Sequence, residues 1–194
     1  CGLVDNLDGR PDRFLPFLFM QLETERLIIQ PYTPEDLPEL IEMRSDPLVY
    51  RYLGGWERQN PAEVTKRMDF YLDCYEKFGF GTSKMIFKEN GEHIGSSGLQ
   101  PLEDLGEIEV GYTLRPSYWR RGIGFECARA WLKYGFETAG LERIVAVCDG
   151  DNIGSWRIME KCGMTFEGMK PAYGMECRLY AISKDEFFRG VREV

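Results

Sequence analysis

The stretch from Glu107 to Ala128 constrains this chain most. Glu107-Ile-Glu-Val-Gly-Tyr-Thr-Leu114 reads as a strand. A loop, Arg115-Pro-Ser-Tyr-Trp-Arg-Arg121, follows it, and a helix opens at Gly122-Ile-Gly124. Such a turn leaves backbone N–H groups unpaired and aimed outward at the positive end of the helix. Glycine lets an anion approach that backbone closely. Arg120 and Arg121 add charge beside it. Together these features form a cradle for a pyrophosphate. The Gly-Lys-Ser/Thr of a Walker loop is missing, and so is the third spaced glycine of a dinucleotide fingerprint. Taken alone, a Gly-x-Gly helix start is at least as often purely structural.

The elements around this stretch alternate in type. Leu22 to Pro31 alternates as a first strand. Thr33-Pro34-Glu35-Asp36 opens a helix with a hydroxyl cap, an early proline and acids in the first turn. That helix stops at Ser45-Asp46-Pro47. Asn60-Pro61 caps a second helix, whose apolar stripe is Val64, Met68, Tyr71, Leu72 and Tyr75. Phe78 to Lys88 and His93 to Leu99 form a hairpin around Glu89-Asn90-Gly91-Glu92. After the central strand and its helix come a strand at Arg143 to Cys148 and a helix at Ile153 to Cys162. Two last strands run from Met164 to Met169 and from Arg178 to Ile182. This order gives an α+β single domain over residues 20–194. Residues 1–19 show no period and read as an N-terminal extension, upstream or vector-derived, with Met20 as the natural start. A processed lipoprotein cysteine at Cys1 is the alternative.

Composition narrows the chemistry. The chain has 194 residues and a formal charge of −8. Nucleic-acid binders normally show a basic face, which argues against that class. A cationic small partner such as an amine fits the acidic balance. The single histidine, His93, excludes zinc chemistry through several imidazoles. It follows a hairpin turn and reads as a surface strand residue. Six cysteines lack any C-x-x-C spacing and several lie in apolar stretches. A reduced, cytoplasmic protein is expected. No metal site is expected, and no apolar run has the length of a membrane span.

A second stretch, Leu141 to Gly168, combines a strand, Asn152, Ser155 and a helix closed by Lys161-Cys162-Gly163-Met164. With Gly111-Tyr112 and Tyr118-Trp119-Arg120-Arg121-Gly122-Ile123-Gly124, it resembles the GNAT family of acetyl-CoA-dependent N-acetyltransferases. The branch it looks most like contains the ribosomal-protein N-terminal (alanine) acetyltransferases. Leu22-Glu23-Thr24-Glu25-Arg26-Leu27 and Arg51-Tyr52-Leu53-Gly54-Gly55 match that branch too, so the resemblance covers nearly the whole chain.

The resemblance implies an acyl-CoA N-acyltransferase fold, a mixed seven-stranded sheet flanked by about four helices. Two of its strands splay apart and acetyl-CoA lies in the wedge. The pantetheine would pair with the edge of Val110, Gly111, Tyr112 and Thr113. The pyrophosphate would sit on Arg120, Arg121, Gly122, Ile123 and Gly124. Trp119 stands where the family pattern has Gln or Arg. The implied reaction moves an acetyl group to a primary amine of a small molecule or a protein N-terminus, by direct attack in a ternary complex. A CoA-binding regulator without catalysis is the alternative. Neither nucleic acid nor membrane is an expected partner, and a monomer or a homodimer is compatible.

A protonated amine must lose a proton before attack, and Glu109 is the candidate base. Alternation puts Glu107 and Glu109 on one face of their strand, without saying whether that face looks at the site. An ordinary polar strand position is the other reading. Glu176 and Asp104 are weaker candidates. Many relatives carry a tyrosine as general acid seven residues beyond the asparagine, where this chain has Met159. Ser155 is then the candidate proton donor, or else a helix-start residue. Asn152 would hold the pantetheine arm, or serve only the turn. Substrate loops are expected around Tyr50 to Trp56 and Pro171 to Met175, with Trp56 and Tyr173 as possible walls.

Overall fold

A computed structural model describes residues 20–192, and the expected extension at 1–19 lies outside them. The single strand read at Leu22 to Pro31 is two: β1 (Leu22–Glu23) and β2 (Leu27–Pro31), paired antiparallel. The break has a local cause. Thr24 N donates to Leu27 O at 3.0 Å, and Leu27 N donates back to Thr24 Oγ1 at 3.0 Å. This closes a turn inside what alternation reads as one run.

Helices α1 (Leu37–Arg44), α2 (Pro47–Tyr50) and α3 (Pro61–Phe78) come next. Asn60 caps α3 by accepting from the N–H groups of Ala62 and Glu63. The strand expected from Phe78 starts later, because Gly79 ends α3 at φ 74°. Strands β3 (Thr82–Phe87), β4 (Glu92–Leu102) and β5 (Glu107–Leu114) then form a meander. Helix α4 (Ile123–Glu137), strand β6 (Arg143–Asp149) and helix α5 (Ile153–Lys161) follow. The hairpin of β7 (Thr165–Ala172) and β8 (Met175–Ser183) leads into α6 (Lys184–Arg192).

All eight strands share one mixed sheet in the order β1-β2-β3-β4-β5-β6-β8-β7. The α+β class holds, with one strand more than expected because the first is split. Helix α6 also goes beyond the sequence reading. Its signal was present: Ser183 and Glu186 form a reciprocal capping box, with Ser183 N donating to Glu186 Oε2 at 2.8 Å.

The main core lies between the sheet and α4. Trp131, fully buried, sits at its centre and donates through Nε1 to Ser97 Oγ at 3.0 Å. Truncating such a side chain costs about 3–5 kcal/mol. A second cluster, with Tyr32, Leu40, Val64, Met68 and Tyr71, packs α1 and α3 on the sheet. His93 is a correction. It is 8% exposed and not a surface residue. Its Nε2 lies 3.1 Å from Tyr32 Oη and its Nδ1 3.2 Å from Glu39, and burial pushes its pKa down. The five cysteines among the described residues are free and buried, and burial pushes the thiols of Cys127 and Cys162 up to about 12. Among the described residues no helix is long and apolar enough to cross a membrane.

Candidate active site

The loop before α4 is built as the sequence suggests. Arg120 and Gly122 hold left-handed backbone at φ 60° and 76°. Glu126 N donates back to Gly122 O at 3.1 Å, so the amides just ahead of it are the unpaired donors of the helix start. The loop is tied down from behind. Arg26 donates to Arg121 O at 2.7 Å and pairs with Glu126 at 2.6 Å. Gly124 has a packing reason as well: a Cβ there would meet Ile158 Cδ1 at 2.7 Å, so glycine lets α5 lie close against α4. A cleft of about 710 Å³ opens over this loop. Arg120, Gly122, Ile123 and Gly124 line it, together with Trp119 and Asn152. Arg121 stands apart from the lining. Its guanidinium lies over the rings of Phe87 and Tyr118, at 5.0 and 4.9 Å. Only its backbone is available to the cradle.

Strands β5 and β6 run parallel and pair at a single position, Glu109 with Val145. Beyond it they separate, leaving the β6-facing edge of Val110 to Thr113 open. A cavity of about 130 Å³ lies in this wedge. Val110 to Thr113 and Val147 to Asp149 line it, and it reaches Tyr71 on α3 and Tyr173 in the β7–β8 turn.

Glu109 stands at the apex of the wedge. It is 4% exposed, accepts from Gln100 Nε2 at 2.7 Å, and accepts from the hydroxyl of Tyr173. Burial pushes its carboxyl above the usual carboxylate range, against the pull of these two donors and of Arg67. Glu107 shares the strand but pairs with Arg143 at 3.1 Å, away from the cavity. Asp104 holds Tyr173 N at 2.7 Å, and Glu176 is exposed; neither lines the cavity.

Tyr173 is placed by an unusual backbone. It has φ 52° and is followed by Gly174 at 62°, the two-residue turn favoured in hairpins. Trp56, the other expected wall, is 45% exposed, meets Tyr50 edge-on and does not line either cavity.

The wedge cavity and the cleft share Tyr52, Leu53, Tyr112, Thr113 and Ser155, so the expected substrate loop around Tyr50 to Trp56 borders both. Tyr112 Oη donates to Ser155 O at 3.0 Å, and Ser155 Oγ donates to Tyr112 Oη at 3.3 Å. Burial pushes the Tyr112 phenol well above its ordinary value, so it keeps its proton. Asn152 caps α5, its Oδ1 accepting from Ser155 N at 3.2 Å. Met159 lines the wedge cavity from α5, where the resemblance places a tyrosine in many relatives.

The acetyltransferase (GNAT) domain matches residues 26–165, most of the chain. The chain belongs to the GNAT family. It is an N-acetyltransferase of the acetyl-CoA-dependent kind. The uncharacterized N-acetyltransferase YnaD of Bacillus subtilis is 32% identical over 152 residues, covering 77% of this chain and 85% of that protein. A solved acetyltransferase from Agrobacterium tumefaciens superposes with TM-score 0.73 at 27% identity, covering 84% of this chain and 94% of the other. RimL, a ribosomal L7/L12 alpha-N-protein acetyltransferase in complex with coenzyme A, shares the fold. Its TM-score is 0.70 at 17% identity, over 86% of this chain and 99% of that one.

A GNAT protein needs room for a long thioester and donors for its phosphates, and this chain has both. The unpaired amides at the start of α4 suit the pyrophosphate, and the open edge of β5 suits the amide-bearing arm. Several groups at this GNAT site escape a sequence reading. Gln100, Arg44 and Arg67 come from three distant segments and meet only in the fold. The hydroxyl pair of Tyr112 and Ser155 bridges β5 and α5 in the same way.

Proposed function

We propose that residues 20–194 transfer the acetyl group of acetyl-CoA to a primary amine, by direct attack while both substrates are bound. One observation carries this reading. Glu109, a buried carboxylate with a raised pKa, stands where β5 and β6 part, beside the unpaired backbone edge of β5.

The thioester brings the activated acetyl group. Glu109 takes a proton from the amine, which must be neutral to attack, and a raised pKa improves it as a base near neutral pH. One backbone N–H on the open edge of β5, at Val110 or Gly111, supports the oxygen as charge develops there. Gly111 suits this place, since a Cβ would meet nothing within 4 Å and the space beside the strand stays open. The Ser155 hydroxyl, held beside the Tyr112 phenol, passes a proton to the departing thiolate and takes one from solvent in its place, while Glu109 releases the amine's proton to solvent. Gln100 and Tyr173 hold Glu109 in position. Arg120, Gly122, Ile123, Gly124 and Asn152 bind the donor, with Arg121 contributing backbone.

The test is an amine and peptide panel read by free-thiol release from acetyl-CoA. Turnover with at least one amine, lost on Glu109→Gln, is expected. Full turnover in that variant would remove Glu109 from the chemistry.

A further inference from the structure

The wedge cavity contains more positive charge than its own carboxylates neutralise. Arg44, Arg58 and Arg67 line it, against Glu109 and Asp149. Arg44 is 4% exposed. Its Nη1 donates to Gln59 Oε1 at 2.7 Å and its Nη2 to Tyr71 Oη at 2.8 Å, both neutral groups. The Nε of Arg44 and the Nε of Arg67 are buried and have no acceptor. Among the described residues, Arg67 forms no hydrogen bond and no ion pair. Glu109 feels the charge of Arg67 but forms no ion pair with it, and its Oε1 accepts from Gln100 and Tyr173. Elsewhere Arg26 pairs with Glu126, Arg115 with Glu42, and Arg143 with Glu107 and Glu167, while Arg178, whose Nε is likewise buried without an acceptor, is covered by the rings of Trp156 and Phe166. Arg44 is buried and Arg67 half-buried; guanidinium charge shut away from water without a carboxylate is costly, and a ligand that supplies one removes that cost.

We propose that the acceptor is a small amine bearing a carboxylate, as in an amino acid, and that Arg67 binds the carboxylate with Arg44 behind it. This deepens the acetyl-transfer reading of the same cavity and rests on it. The two charged ends of such a molecule match two features of one cavity. Its amine faces Glu109, and its carboxylate faces a guanidinium, whose planar fork suits two parallel hydrogen bonds. A polyamine would bring a further cation beside unpaired arginines and leave their buried donors unmet, so the same cavity selects against it. The overall charge of −8 gives no long-range attraction for anions, so recognition of the carboxylate is local to the cavity.

The test is calorimetry on the protein saturated with CoA, using L-amino acids each paired with its amide, together with phosphoethanolamine and spermidine. At least one acid should bind tenfold or more tightly than its amide. Arg67→Gln should reduce that acid to the level of the amide, Arg67→Lys should keep part of the preference, and CoA affinity should hold in both variants. Equal binding within every pair, or no binding of any acid, overturns the proposal. Tight binding confined to phosphoethanolamine assigns the arginines to phosphate and also overturns it. Thiol release from acetyl-CoA separates the two readings. Turnover of amides or spermidine as fast as of acids sinks the carboxylate and leaves acetyl transfer standing. Carboxylate-dependent binding without thiol release from any amine sinks acetyl transfer and leaves the binding site.

Discussion

Glu109 combines two opposing demands in one side chain. As a base it needs a raised pKa, and burial provides it. A carboxyl whose pKa is higher in the folded state than in the unfolded chain favours folding while protonated. Its contribution is complete below the unfolded value and is lost as pH rises through the folded one. Neutral pH lies above the unfolded value, so Glu109 there contributes less to stability than it does in acid. Glu109→Gln keeps an acceptor for Gln100 and Tyr173 and removes the charge. Its kcat should fall by roughly a hundred- to a thousandfold, while its melting temperature at pH 7 rises above that of the parent. The gain should shrink in melts near pH 4. A melting temperature that falls equally at both pH values would contradict this account. Ser155 tests the other end of the reaction. A thiol near the ordinary cysteine value, about 8.5, is a moderate leaving group, so Ser155→Ala should lose only about ten- to a hundredfold in kcat. The KM for acetyl-CoA should move less, because the contact tightens mainly in the transition state. A raised KM with kcat intact would leave Ser155 as a residue of the α5 start.

At the scale of elements, the start of α4 can be probed without disturbing packing. Replacing Gly124 would not serve, since any Cβ there drives into Ile158. Arg120 is better placed: it lines the cleft and holds a left-handed φ of 60° that glycine adopts freely. Arg120→Gly should weaken CoA binding about tenfold, or about 1.4 kcal/mol, with thermal stability held or improved. Unchanged affinity by calorimetry would leave the cradle to backbone alone. This element was legible in the sequence because its signal is local: a strand, a Gly-x-Gly and a helix within eighteen residues, Glu107 to Gly124. Helix α6 carried an equally local signal in Ser183 and Glu186, followed by a strongly amphipathic run, Lys184 to Arg192, that a reading ending at the strand to Ile182 passes over. His93 misleads for the opposite reason. A hairpin end predicts exposure, and only packing of Tyr32 and Glu39 over the ring buries it. Arg44, Arg67 and Gln100 belong to that non-local class too. Each reads as an ordinary helix or strand residue until the fold gathers them around Glu109, whereas Tyr173 already stands out as an aromatic in an expected substrate loop.

At the scale of the whole molecule, the sheet acts as a wall with one gap in it. The larger cleft ends at the starts of α4 and α5, and the smaller cavity reaches from the gap toward α3 and the β7–β8 turn. They touch between Tyr112, Thr113 and Ser155 on one side and Tyr52 and Leu53 on the other. Two molecules that meet only at a gap do not contest the same entrance. Either can leave while the other stays, and neither has to arrive first for steric reasons. An acetylated product stranded on the α3 side should therefore compete with the amine and not with acetyl-CoA. Steady-state inhibition by a good product should show that pattern, and CoA titrated into protein loaded with the same product should bind as it does to the free protein. In the proposed reaction, the parting of two strands past Glu109 and Val145 would work as traffic control, giving donor and acceptor separate doors into one room.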